Sequence, residues 1–162
     1  MNKEKSTFSI IEIIMKDDID QFQSYLSNNN KSVDEQLPIK VLGASPTFLS
    51  LSMYFHASKI SSFLRMNNAK LRKYDRVFAL IGGDYELIHY VFDTFDKKPK
   101  DFEMDIAIQF HQNKVAMWIY ENYQVEYTIH SVETAIQYYN AFMIKELKDL
   151  RVFNPIQFLR MT

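Results

Sequence analysis

The sequence predicts an all-α chain, a solenoid of about five stacked helix-turn-helix repeats. Three observations predict it. Small residues recur at intervals of 27 to 28 residues, at Ser52, Ala79, Ala107 and Ala135. A second apolar stripe with helical spacing follows each of them. The 162 residues include only 3 Gly and 4 Pro, which disfavours glycine-rich β architectures.

Each copy is predicted to contain two short helices joined by a tight turn. In the copy around Ala107, apolar residues fall at i, i+3 and i+4 on both sides of a polar break at His111 to Asn113. Helices this short are marginal alone in water, so each hairpin must bury its apolar stripe against a neighbour. The stripes are Met104, Ala107, Ile108 with Val115, Trp118, Ile119, and in other copies Ile60, Phe63, Leu64; Leu87, Ile88, Val91; Met143, Ile144, Leu147.

The repeat spacing divides the chain into hairpins within one domain, residues 1–162. One interval is longer: the turn positions Asp17 and His56 are 39 residues apart, so about eleven extra residues precede the second hairpin. This insert contains Pro38, Gly43 and Pro46, which favour loops and turns. The predicted hairpins span about 8–27, 47–66, 74–95, 102–122 and 131–151, with an insert loop at 28–46 and a C-terminal cap at 152–162, where Asn154-Pro155 has the order of a helix start.

The segment from Thr47 to Ala69 resembles an ankyrin repeat. Thr47 and Leu49 match the family's Thr-Pro-Leu-His opening, and Asn67-Asn68-Ala69 matches its closing Asn-Gly-Ala. The stretch from Gly82 is similar to the family's Gly-His-Leu-Glu-Ile-Val segment. The resemblance covers roughly residues 8–150 and is nearest to divergent, short-finger ankyrin families expanded in some protists. It implies stacked hairpins that bind a partner protein in a concave groove.

The chain departs from the ankyrin pattern at several places. Phe48 replaces the family's proline and Ser50 its histidine. The family's turn glycine remains only at Gly83. The corresponding turn positions in the other copies hold Asp17, His56, His111 and Tyr139.

Composition excludes several classes of site. There is no cysteine, hence no disulfide framework, thiolate metal site or cysteine nucleophile. No His-Glu-x-x-His or Gly-x-Ser-x-Gly motif occurs, and His56, His89, His111 and His130 do not have metal-site spacing. We therefore expect no enzyme, metal or cofactor. No apolar stretch is long enough for a membrane span, and the expected location is cytoplasmic.

The expected function is a protein-interaction scaffold that binds a partner protein, as a module of a larger assembly. In the ankyrin-like register, the last turn of each first helix faces the groove. Aromatic residues there suit an interface because they bury a large area with few torsions. The alternative is that these side chains fill space between adjacent first helices. The candidate partner-binding residues are Tyr54, Phe55, Ile81, Phe110 and Tyr138.

A basic edge is the second candidate site. Two loops one repeat apart each carry three cations, and an alternative function is binding of nucleic acid or another anionic ligand along them. The chain has 19 Lys and Arg against 20 Asp and Glu, a net charge of −1, which disfavours nucleic acid and membrane as partners. Ordinary solvated loop charge is the other interpretation. The residues are Lys70, Arg72, Lys73, Lys97, Lys98 and Lys100.

Overall fold

The fold is all-α, as the sequence predicts. A computed structural model describes residues 3–95, 97–150 and 152 of the chain, and these residues contain ten helices and no β-strand longer than an isolated bridge. The helices are α1 Lys3–Met15, α2 Ile19–Asn28, α3 Phe48–Tyr54, α4 Ser58–Met66, α5 Asp75–Gly82, α6 Tyr85–Thr94, α7 Asp101–Gln109, α8 Asn113–Tyr123, α9 Ile129–Gln137 and α10 Ala141–Asp149.

The chain divides into two compact units between Val91 and Phe92. In the N-terminal unit, α1 packs against α2 and α3 packs against α4, while α3 also contacts α1 and α5. In the C-terminal unit, α7 packs against α8, α9 packs against α10, and α7 contacts α9. Within each unit the first helices of successive hairpins therefore pack side by side.

The tight turns between paired helices share one backbone conformation. Each contains a residue with a left-handed backbone at the turn position that the sequence comparison of the copies gives. The residues are Asp17 (φ 50°), His56 (φ 56°), Gly83 (φ 74°), His111 (φ 58°) and Tyr139 (φ 54°).

Hydrogen bonds explain why the first helices end at these turns. The amide of Ala57 donates to the carbonyl of Ser52 at 2.8 Å, and the amide of His56 donates to Met53 at 3.1 Å. This pair of bonds around a left-handed residue satisfies carbonyls that the helix end leaves free. The corresponding bonds to Ala107 and Ala135, from Gln112 and Asn140, are also 2.8 Å long.

The small residues that recur along the chain are buried. Ser52, Ala79, Ala107 and Ala135 are at most 1% exposed. The predicted stripes are also buried, except that Phe63, Trp118 and Ile144 are half-buried. Aromatic rings complete each core in edge-on contacts, including Phe22 with Phe48 (5.5 Å between ring centroids) in the N-terminal unit and Phe92 with Trp118 (5.4 Å) in the C-terminal unit.

The insert between α2 and α3 contains no helix. A two-residue turn at Leu42 and Gly43, both with positive φ, brings Val41 and Ala44 into a mutual backbone hydrogen-bonded pair. The Leu37 amide donates to the Pro46 carbonyl at 2.8 Å, and Gln36 forms a bridge with Thr47. The β structure of the insert is thus limited to two isolated bridges.

None of the described helices is long and apolar enough to cross a membrane. The Asn154-Pro155 helix start and the rest of the predicted C-terminal cap after Val152 lie outside the described residues.

Candidate functional site

Three exposed aromatic residues lie at the ends of α7 and α9 in the C-terminal unit. Phe110 and Tyr138 directly follow α7 and α9, and their exposed fractions are 38% and 37%. Tyr139, the left-handed residue after α9, is 88% exposed. The sequence placed Tyr139 in the turn but did not mark it as a contact residue. Because α7 and α9 pack together, two neighbouring turns present these rings. We call Phe110, Tyr138 and Tyr139 the aromatic turn surface.

The three candidate residues of the N-terminal unit are less exposed. Tyr54, Phe55 and Ile81 are all half-buried. The Tyr54 ring meets the Phe55 ring edge-on at 4.9 Å and the nearly buried Phe78 ring at 6.2 Å. At this end of α3, Tyr54 and Phe55 thus pack against other rings and are also partly exposed.

Turn side chains link successive hairpins within each unit. His56 donates a ring N–H to the Gly82 carbonyl (3.2 Å), and His111 donates one to the Tyr138 carbonyl (3.1 Å). Since a carbonyl oxygen only accepts, the bond fixes which ring nitrogen carries hydrogen. Asp17 accepts from the amides of Lys59 and Ile60, both at 3.0 Å, and so caps α4.

Gly82 lies against the backbone of the preceding hairpin. A Cβ atom there would stand 1.8 Å from the carbonyl oxygen of Met53. The end of α5 thus approaches the end of α3 at a distance that only glycine permits.

A buried carboxyl–hydroxyl pair joins first helices in each unit. Ser50 on α3 donates to Asp75 on α5 at 2.6 Å, and Ser131 on α9 donates to Asp105 on α7 at 2.7 Å. All four side chains are at most 7% exposed. Ser50 and Asp105 each lie two residues before the small residue of their own hairpin, which is Ser52 or Ala107. Asp75 and Ser131 each lie four residues before the small residue of the next hairpin, which is Ala79 or Ala135.

Burial is the main electrostatic influence on these carboxyls. It raises the pKa of Asp75, although hydrogen bonds from Ser50 and from the Arg72 amide act in the opposite direction. Burial likewise raises the pKa of Asp105 against the opposing effects of Ser131 and nearby His130. Both acids are stabilised in the neutral form relative to an exposed aspartate.

The predicted basic edge falls in two loops that belong to different units. Lys70, Arg72 and Lys73 are exposed in the loop before α5 of the N-terminal unit. Lys97, Lys98 and Lys100 are exposed in the loop before α7 of the C-terminal unit.

A cavity accompanies each basic loop. The C-terminal one, of about 510 Å³, is lined by Lys98 and Lys100 but also by Asp101 and Glu126, and Lys98 donates to the Gln124 carbonyl at 2.7 Å. The N-terminal one, of about 460 Å³, lies between the insert and the loop before α5.

Among the described residues, no group of three or more His, Asp or Glu side chains is arranged to hold a metal ion. No protein-family model matches the chain, and no curated protein matches it in sequence.

Proposed function

We propose that the chain is a non-catalytic protein-interaction module built from ankyrin-like helical hairpins. The single observation that carries this proposal is the aromatic turn surface, where Phe110, Tyr138 and Tyr139 stand partly or largely exposed on neighbouring turns of packed helices. Aromatic side chains are enriched at protein interfaces because they bury a large area at small conformational cost.

The ankyrin-like part of the proposal is supported by the shared turn. Asp17, His56, Gly83, His111 and Tyr139 align in sequence and share a left-handed backbone. Within each unit, the first helices contact one another in series. We infer from these two features that the hairpins of each unit stack in the manner of ankyrin repeats.

The proposed partner is a protein, and the proposed compartment is the cytoplasm. The absence of cysteine from all 162 residues is compatible with a reducing environment. A net charge of −1 supports a protein partner over nucleic acid, whose phosphates would favour a basic domain.

The test compares binding and stability in the same variants. Wild-type chain and Tyr139→Ala are used as baits in source-cell extract, and captured proteins are quantified by mass spectrometry. We expect at least one protein to be captured by the wild type and depleted severalfold by Tyr139→Ala, while the melting temperature stays nearly unchanged because Tyr139 is 88% exposed.

Two control variants make the result specific. Tyr85→Ala removes a tyrosine that is 43% exposed in the N-terminal unit, and Met66→Ala removes an apolar side chain that is 83% exposed there. Both should capture the same protein as the wild type. Equal capture by Tyr139→Ala and the wild type would refute this assignment of the surface.

A further inference from the structure

The cavity of the N-terminal unit has two walls from different parts of the chain. The insert supplies one wall, including Gln36, Lys40 and Ser45, and the loop before α5 supplies the other, including Arg72 and Lys73. Its volume of about 460 Å³ is within the range of ligand pockets, roughly 300–1,000 Å³. We call this cavity the insert cleft.

The insert is fastened on both sides of the cleft. Its own ends are joined by the bond from the Leu37 amide to the Pro46 carbonyl (2.8 Å). The carboxylate of Asp34 accepts from the Lys70 amide at 2.7 Å, which ties the insert to the loop before α5. The cleft is therefore preorganised, and a ligand that fills it loses little binding free energy to the ordering of the insert.

The charge lining the cleft is positive. Lys40, Arg72 and Lys73 are its basic side chains, and none of them forms an ion pair with any residue that the structure describes. Asp75 is the acidic residue in the lining, but its oxygens accept from the Ser50 hydroxyl and the Arg72 amide, both at 2.6 Å. Three basic side chains therefore stand against one buried carboxyl in the lining of the cleft.

The arrangement of the cations favours several separated carboxylates over one phosphate. Lys40 comes from the insert, whereas Arg72 and Lys73 come from the loop before α5. An arginine can hold a carboxylate through two hydrogen bonds, and a lysine can bind a second one as a point charge.

We propose that the insert cleft binds an acidic peptide segment of a partner protein through Lys40, Arg72 and Lys73. This inference rests on the proposed role as a protein-interaction module and names the chemistry of one partner segment. It uses the N-terminal unit, whereas the aromatic turn surface belongs to the C-terminal unit. The exposed ring of Tyr74, which lines the cleft beneath the Lys73 ammonium group (5.4 Å from the ring centroid), offers an apolar contact for the peptide.

The experiment uses the whole chain and a peptide of defined composition. A fluorescein-labelled peptide of alternating Glu and Gly is titrated with the protein at low salt, and its fluorescence anisotropy is measured. We expect saturable binding that weakens about tenfold in Arg72→Gln and about fivefold in Lys40→Gln, because each removes one charge-assisted contact. A peptide of alternating Gln and Gly should not bind.

Charge-matched controls lie in the C-terminal unit. Lys114→Gln and Lys145→Gln each remove one exposed cation outside the insert cleft and should leave the affinity within about twofold of the wild type. Equal loss in these controls would show general charge attraction and overturn the proposal. Absence of binding to the Glu peptide, or tighter binding of an oligothymidine, would also overturn it, the latter in favour of a nucleic-acid site.

The outcomes separate this inference from the proposed function. If the Glu peptide does not bind but Tyr139→Ala still loses a captured protein, only the insert cleft assignment fails. If the Glu peptide binds as described but Tyr139→Ala captures every protein that the wild type captures, the aromatic turn surface fails and the cleft assignment stands.

Discussion

The hydroxyl of Ser50 donates a 2.6 Å hydrogen bond to the buried carboxyl of Asp75. In the C-terminal unit, Asp105 occupies the repeat position of Ser50, and Ser131 occupies the repeat position of Asp75. The two units therefore use the same pair of positions with hydroxyl and carboxyl exchanged. Each contact pairs one hydroxyl with one carboxyl. In the N-terminal unit the earlier helix carries the hydroxyl, and in the C-terminal unit the earlier helix carries the carboxyl.

Exchanging the two groups in the N-terminal unit tests this equivalence. Ser50→Asp alone places a second carboxyl beside Asp75, and Asp75→Ser alone removes the acceptor of the Arg72 amide and the Ser50 hydroxyl. We expect each single variant to lose about 1–3 kcal/mol of unfolding free energy. The double variant should recover at least about 1 kcal/mol relative to the sum of the two losses, measured by urea unfolding. Strict additivity would show that the two positions are not equivalent to those of the C-terminal unit.

The raised pKa of Asp75 predicts a pH dependence of stability. A folded-state pKa above the unfolded value means that the native state holds a proton that the unfolded state has released, so stability falls as pH rises through the folded pKa. Asp75→Asn removes this titration and keeps a group that can bond to Ser50 and Arg72. The unfolding free energy of the wild type should therefore decline relative to Asp75→Asn as pH rises above about 4, near the unfolded value. A difference that stays constant between about pH 4 and pH 8 would contradict the assignment.

Two substitutions of His111 separate the cost of its backbone strain from the contribution of its side-chain hydrogen bond. Its left-handed backbone (φ 58°) costs roughly 1–2 kcal/mol for a residue with a Cβ, and its side chain offsets part of this by donating to the Tyr138 carbonyl. His111→Ala loses the bond and keeps the strain, whereas His111→Gly loses both. We expect His111→Gly to be about 1 kcal/mol more stable than His111→Ala in urea unfolding. Equal stability of the two variants would contradict the strained turn.

The close packing at Gly82 predicts that an alanine there clashes with its surroundings, whereas an alanine at Gly43 does not. Gly82→Ala should lower stability by about 1–3 kcal/mol, since its Cβ would stand 1.8 Å from the Met53 carbonyl oxygen and force α3 and α5 apart. Gly43→Ala meets no atom within 4 Å and should cost only the strain of its positive φ. Thermal melts of both variants check this. A larger loss for Gly43→Ala would mean that the close approach at Gly82 is not as described.

The turns could be predicted from sequence because the repeats can be aligned with one another and compared position by position. A lone His56 or His111 does not indicate a left-handed residue, but alignment with Gly83 at the repeat period does. The buried small residues Ala107 and Ala135 could be predicted in the same way, since both lie at one register position.

The candidate site could be predicted only in part. Phe55 and Phe110 occupy the same repeat position, three residues after Ser52 and Ala107, but Phe55 is half-buried with its ring against Tyr54 while Phe110 is 38% exposed. The repeat spacing does not encode that difference. Helical periodicity does not encode contacts between hairpins. It therefore could not predict the exposure of Tyr139, the close approach of Gly82 to α3, or the insert cleft.

The central claim, that exposed aromatic residues on neighbouring turns bind a protein partner, is tested most directly by one binding isotherm series. A protein captured by the wild-type chain is purified, and its affinity is measured for the wild type, Phe110→Ala, Tyr139→Ala and the control Tyr85→Ala, with a melting curve for each. We predict folded variants, affinity unchanged in Tyr85→Ala, and affinity weakened at least fivefold, about 1 kcal/mol, in Phe110→Ala and Tyr139→Ala. Unchanged affinity in both aromatic-surface variants would contradict the account.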